Sequence, residues 1–163
     1  MTDHESTDAA ELIDRLGLLP HPEGGWYREL HRSSTRVRRI ADGAERSGQT
    51  LIAYLLGSGE LSRWHRVDGA DETWHHGGGA PLRLWRLPPE GGEAEELALG
   101  PLDQGLPARA PVQVIPSGWW QAARSAGSWS LAYCCVGPGF EFSDFTMLRH
   151  GPHRPPGALP HLL

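Results

Sequence analysis

The chain reads as an all-β protein, a sandwich or barrel of short strands preceded by one short helix. Glycine (21) and proline (14) interrupt its 163 residues too often for a helical bundle. The apolar segments between these breakers are short, the length of strands in a compact sheet. Hydrophobic residues make up 39% and charged residues 21%, the balance of a globular chain with one core. That length suits a single domain, 1–163, with a core from about 20 to 148 and an irregular tail, 149–163.

The helix comes first. Asp8, with Glu11 three residues on, resembles a capping box; Leu12, Ile13 and Leu16 form one apolar stripe, and Gly17 is a fitting stop. Pro20, Pro22, Gly24 and Gly25 then break the chain. Nine strands are expected after them: Thr50–Leu56, Ser62–Val67, Glu72–His76, Pro81–Leu87, Glu96–Leu99, Val112–Ile115, Trp120–Ala123, Trp129–Val136 and Phe145–Leu148. Ser33–Gln49 and the acidic stretch Pro88–Pro107 read as loops. The tail from His150 is rich in His and Pro and reads as irregular.

Charge and cysteine content exclude several classes. All 15 basic residues are Arg and the net charge is −5, which argues against a nucleic-acid binder. The five arginines between Arg28 and Arg39 form either a solvated loop or an anion or partner site. Cys134 and Cys135 are adjacent and cannot staple distant segments, so a reducing compartment is expected. Met1–Glu11 is polar and lacks the apolar stretch of a signal peptide, and no run is long enough to span a bilayer. A cytoplasmic protein without a membrane or nucleic-acid partner is the expectation.

Chemistry concentrates between Gly59 and Gly79. On adjacent strands His65 and Glu72 can converge on a barrel interior, since side chains of one parity face inward. Glu72, Trp74 and His76 share a face if their strand is regular. Imidazole and carboxylate on one wall make a metal site, a general acid/base pair, or a polar pair bonded to each other. Trp119 shares parity with Gln121, so Trp74 and Trp119 should line the barrel mouth. Arg63 shares parity with His65; it either grips an anionic substrate group or sits outside at the strand start. An aromatic-walled cavity of this kind suits a small, partly apolar molecule.

The spacing sharpens this reading. Gly59, five residues, His65, then six residues to Glu72 and six more to Gly79 resembles the first motif of the cupin superfamily, with Val67 at its second His. Pro116-Ser117-Gly118-Trp119-Trp120-Gln121 resembles the second motif, with Gln121 at its His. Three phrases extend the likeness over nearly the whole chain: Pro20-His21-Pro22-Glu23-Gly24-Gly25-Trp26-Tyr27-Arg28-Glu29, Trp64-His65-Arg66 with Asp71-Glu72-Thr73-Trp74-His75, and Pro138 to Phe145. They are similar to a family of small single-domain cupins of unassigned function, often compared with the dTDP-sugar epimerase fold. One departure is that the family usually has an aromatic at His76 and a bulky residue at Gly77.

The resemblance implies a jelly-roll β-barrel, a homodimer in which early strands extend a partner's sheet, and a small-molecule ligand. Cupins usually present three His and one Glu to a metal. Here the candidate ligands for Zn, Fe, Ni or Mn are His65, Glu72 and Gln121, with His76 as a replacement imidazole; a metal-free site is the other expectation. The function expected is proton transfer of the isomerase, epimerase, cyclase or lyase kind. His65 would serve as acid or base with Glu72 as its partner, and Arg63, Trp74, Trp119, Gln121 and Tyr27 would hold substrate. A non-catalytic ligand-binding barrel and a metal-dependent oxygenase are the alternatives.

Overall fold

The computed structural model describes residues 8–102 and 109–163. The first seven residues of the polar N-terminal segment and the end of the acidic stretch, from Asp103 to Pro107, lie outside the described residues. Helix α1 (Ala9–Leu16) is followed by strands β1 (Leu19–Pro20), β2 (Trp26–Arg32), β3 (Arg36–Arg38), β4 (Glu45–Ser47), β5 (Thr50–Gly57), β6 (Leu61–Val67) and β7 (Asp71–Gly79). Strands β8 (Leu82–Leu87), β9 (Glu95–Leu99), β10 (Arg109–Ala110), β11 (Val112–Ile115), β12 (Trp120–Ser125), β13 (Trp129–Gly137) and β14 (Phe145–Met147) complete the sheets.

The helix ends where its caps dictate. The Asp8 carboxylate accepts the Glu11 amide at 2.8 Å, satisfying a first-turn donor, and Gly17 takes the left-handed conformation (φ 62°) that closes the last turn.

Two six-stranded sheets form the jelly roll, ordered β1-β2-β5-β13-β7-β11 and β10-β9-β8-β12-β6-β14. Tyr54, Leu56 and Trp74 of the first sheet meet Leu82, Leu84, Leu99 and Ala123 of the second. Each sheet is also covered on its outer face. Leu12, Ile13 and Leu16 of α1 lie against Ala53, Leu55 and Leu131, which is why β5 is apolar on both faces. On the other side Trp64, Trp85, Leu87 and Trp120 are covered by Leu148 and Leu162. The tail is irregular but anchored: Leu162 is fully buried, and the Trp64 indole N–H donates to the Leu159 carbonyl at 3.1 Å.

Three segments differ from the sequence expectation. The Ser33–Gln49 stretch contains the hairpin β3–β4, whose polar residues hide any period-2 pattern. Four of the clustered arginines have internal partners there and nearby. Arg28 bonds the Leu16 carbonyl, Arg38 pairs with Glu45, and Arg32 pairs with Glu29 and Glu141. Arg39 and Arg46 both pair with buried Asp144, clamping the hairpin to the segment before β14. Strand β2 was also hidden, because most of its side chains are polar and exposed. Finally, β6 is not regular. Ser62 pairs with Ala123 and His65 with Gln121, so Arg63 and Trp64 together oppose one residue, Ala122. This bulge breaks the alternation between residues 62 and 65.

Candidate active site

A cavity of about 210 Å³ opens between the sheets, and His65, Glu72, Trp74 and Tyr27 all line it. The bulge in β6 sets this arrangement. It directs both Ser62 and His65 toward one carboxylate, while Trp64 packs under the tail. That carboxylate is Glu23, on the turn between β1 and β2. The turn follows β6 closely: the Arg63 amide donates to the Glu23 carbonyl at 2.9 Å. Gly24 makes the approach possible. Its φ of 106° is glycine-specific, and a Cβ there would collide with the Leu61 carbonyl. The Tyr54 hydroxyl, on β5 of the same sheet as β1 and β2, donates to the Gly24 carbonyl and fixes the turn on its other side.

Glu23 and His65 form a buried ion pair, with Oε2 and Nε2 3.0 Å apart. The Ser62 hydroxyl donates to the other oxygen of Glu23 at 2.9 Å. His65 Nδ1 lies 2.7 Å from the Arg63 carbonyl, an acceptor, so Nδ1 carries a proton. Burial opposes charge on both partners, but their mutual attraction outweighs it. The Glu23 carboxyl is held well below the usual range and the His65 imidazolium is favoured. His21 lies alongside, its Nδ1 accepting the Glu23 amide at 3.2 Å; burial lowers its pKa and keeps it neutral.

Glu72 is the opposite case. Burial pushes its pKa up to about 7, and the nearby Glu23 charge adds to the rise against the pull of His65. Gln121 sits behind it and does not line the cavity. Its amide is oriented from both ends: Trp74 Nε1 donates to its oxygen at 2.8 Å, and its nitrogen donates to Glu72 Oε2 at 2.6 Å. His65 and Glu72 are therefore bonded to Glu23 and Gln121 respectively.

Other candidates lie elsewhere. Arg63 is placed at the bulge and does not line the cavity. Trp119 precedes β12, packs against the central core and takes Arg86 over its ring. His76 lies beyond Trp74 on β7, opposite Ala132, outside the cavity lining. Cys134 does line the cavity, with burial raising its thiol pKa, which disfavours the nucleophilic thiolate.

This donor set does not fit the metal site of the expectation. Val67 is apolar, the Gln121 oxygen is engaged by Trp74 and its nitrogen faces Glu72, and both His65 nitrogens have partners. Among the described residues, no three His, Cys, Asp or Glu gather closely enough to hold a metal ion.

Sequence reasoning missed Glu23, His21, Tyr54, Arg32 and the phenylalanines 140, 142 and 145, which also line the cavity. For Glu23 a signal existed: a carboxylate directly before two glycines, in a stretch otherwise read as a breaker.

Two facing, mostly antiparallel sheets with an acid–base cluster between them have the architecture of a cupin. The family model described as Cupin superfamily (DUF985) matches residues 10–148, and the chain belongs to that family. A protein from Shewanella oneidensis of known structure is 34% identical, with 86% of this chain and 84% of that one covered and a TM-score of 0.76. A hypothetical protein from Leishmania major is 28% identical, with 86% of both chains covered and a TM-score of 0.77. Oxalate decarboxylase from Bacillus subtilis shares the fold at 16% identity and a TM-score of 0.57, over 82% of this chain and 31% of that one. No curated protein matches. Among the described residues, no helix is long and apolar enough to cross a membrane.

Proposed function

We propose that the protein is an enzyme that moves a proton on a small organic molecule, in a reaction of the isomerase, epimerase, cyclase or lyase kind. One observation carries the reading. A single cavity holds an ionised His65–Glu23 pair and, beside it, a carboxyl at Glu72 with a pKa of about 7. Groups driven apart in this way suit complementary roles, and a carboxyl poised near neutrality can both accept and donate a proton. In this mechanism Glu72 exchanges the proton with substrate. Gln121 holds the carboxyl in place. His65 stays protonated and stabilises negative charge that develops on the substrate, with Glu23 and the Arg63 carbonyl fixing its ring. Tyr27, Trp74 and Tyr54 contribute apolar surface that limits water beside the reacting carbon.

The non-catalytic alternative rests on Val67 and Gln121, which stand where the superfamily places metal-binding imidazoles. Solvent-exchange NMR in D2O separates the two. Cavity-sized compounds are screened for deuterium incorporation at carbon, with wild type beside the Glu72→Gln and His65→Gln variants. The expected result is incorporation by wild type that both variants lose. Compounds that shift the resonances of cavity residues yet never exchange would establish the ligand-binding barrel instead.

A further inference from the structure

We propose that the molecule this cavity accepts is a small organic cation, an ammonium or quaternary ammonium group on a short body. The proposal rests on the reading of this cavity as the reaction site, and it specifies the substrate class.

Aromatic rings and carboxylates make up more than half of the lining, beside His21, His65, Arg32 and small or aliphatic side chains. Tyr27, Tyr54, Trp74, Phe140, Phe142 and Phe145 all face the cavity. Phe140, Phe142 and Phe145 are packed edge to face, with centroids 4.9 to 6.0 Å apart. Walls of this composition attract cations through the negative faces of the rings. The carboxylates act in the same direction: Glu23, Glu29, Glu72 and Glu141 line the cavity, against the His65 imidazolium and Arg32, the one arginine among the described lining residues.

Arg32 is not free to seize an anion. Its guanidinium already meets Glu29 at 2.7 Å, Glu141 at 3.1 Å and the Phe140 carbonyl at 3.1 Å. A carboxylate or phosphate ligand would have to displace two glutamates from it. With Glu23 matched to His65, and Glu29 and Glu141 sharing one arginine, the mouth carries an excess negative charge. The chain's net charge of −5 attracts the same class of ligand from solution.

Three isosteric probes test the charge directly: choline, neutral 3,3-dimethylbutan-1-ol and anionic 3,3-dimethylbutanoate. Their affinities are measured by NMR titration of the full chain. Choline is expected to bind about tenfold more tightly than the alcohol, and the anion most weakly. In a Glu29→Gln/Glu141→Gln variant the preference for choline should shrink several-fold, and Phe142→Ala should weaken choline more than the alcohol. Equal or tighter binding of the alcohol or the anion overturns the proposal, as does failure of choline to shift any cavity resonance at millimolar concentration. The two readings fail separately. Deuterium exchange on a neutral or anionic compound would leave proton transfer standing and remove the cation. A choline preference without exchange on any compound would do the reverse.

Discussion

His65 Nε2 and Glu23 Oε2 lie 3.0 Å apart in the barrel, and the far side of the imidazole decides where their proton sits. Because Nδ1 donates to the Arg63 carbonyl, a neutral His65 would turn a bare lone pair toward a carboxylate. The imidazolium removes that repulsion. Burying an ion pair is costly, so the pair owes its place to the hydrogen bonds that Ser62 and Arg63 add around it.

Glu23→Gln should therefore discharge His65. Burial, the strongest influence on this imidazole, would act without its main opponent, leaving only the weaker pulls of Glu72 and the Arg63 carbonyl. The His65 pKa is expected to fall by more than about one unit, read from 15N shifts of the ring. The stability signs follow. Glu23, lowered from 4.5, stabilises the fold above that pH and loses the contribution as pH falls through its folded value. His65, raised from 6.5, stabilises the fold below that pH and loses the contribution as pH rises through its folded value. Wild type should exceed the variant most between the two ordinary values. A His65 that titrates unchanged in Glu23→Gln would sink the ion-pair assignment.

Glu72 predicts the opposite slope. Its folded pKa of about 7 lies above the ordinary 4.5, so between those values the folded state holds a proton that the unfolded chain has released. Stability from this group falls as pH rises through the window, by roughly 3 kcal/mol once pH exceeds 7. Glu72→Gln removes the titration while its amide oxygen still accepts from Gln121. The variant should match wild type near pH 4 within the effect of the substitution itself, then gain on it up to about pH 8. Urea midpoints measured across that range provide the check. Parallel pH profiles for the two proteins would mean that Glu72 does not titrate near neutrality.

Much of this architecture was legible because turns and apolar runs are local signals. Val112–Ile115 lies where the sequence puts it, and the helix stops at Gly17 because that residue can adopt a positive φ. The hairpin β3–β4 was not legible, since its anchor, Asp144, lies about a hundred residues away in the chain. Parity arguments placed Glu72 and Trp74 on one wall of the cavity. They left Arg63 open between the cavity and the strand start, because a bulge is a tertiary choice that an alternation pattern does not encode. Glu23 was hidden for a related reason: a loop residue has no face until the loop is laid against its strand.

Metal binding is the remaining prediction, and it follows from which donors are free. In wild type the apolar Val67 faces the cavity, and the Gln121 carbonyl is held by Trp74. Chelator-treated wild type is expected to retain well under one divalent ion per chain. Installing imidazoles in Val67→His/Gln121→His would add two nitrogen donors beside His65 and Glu72, a set that suits divalent transition metals. Affinity for Co²⁺ should then rise at least tenfold, with visible bands reporting the coordination number. Tail histidines 150, 153 and 161 could bind metal on their own and obscure the result. Truncation is the wrong control, because Leu162 and the Leu159 carbonyl complete the packing around Trp64. Replacing those three histidines with Gln in both backgrounds leaves the anchor in place. If wild type carrying these tail replacements still holds one ion per chain, and His65→Ala releases it, the donor assignment given for His65, Glu72 and Gln121 is wrong.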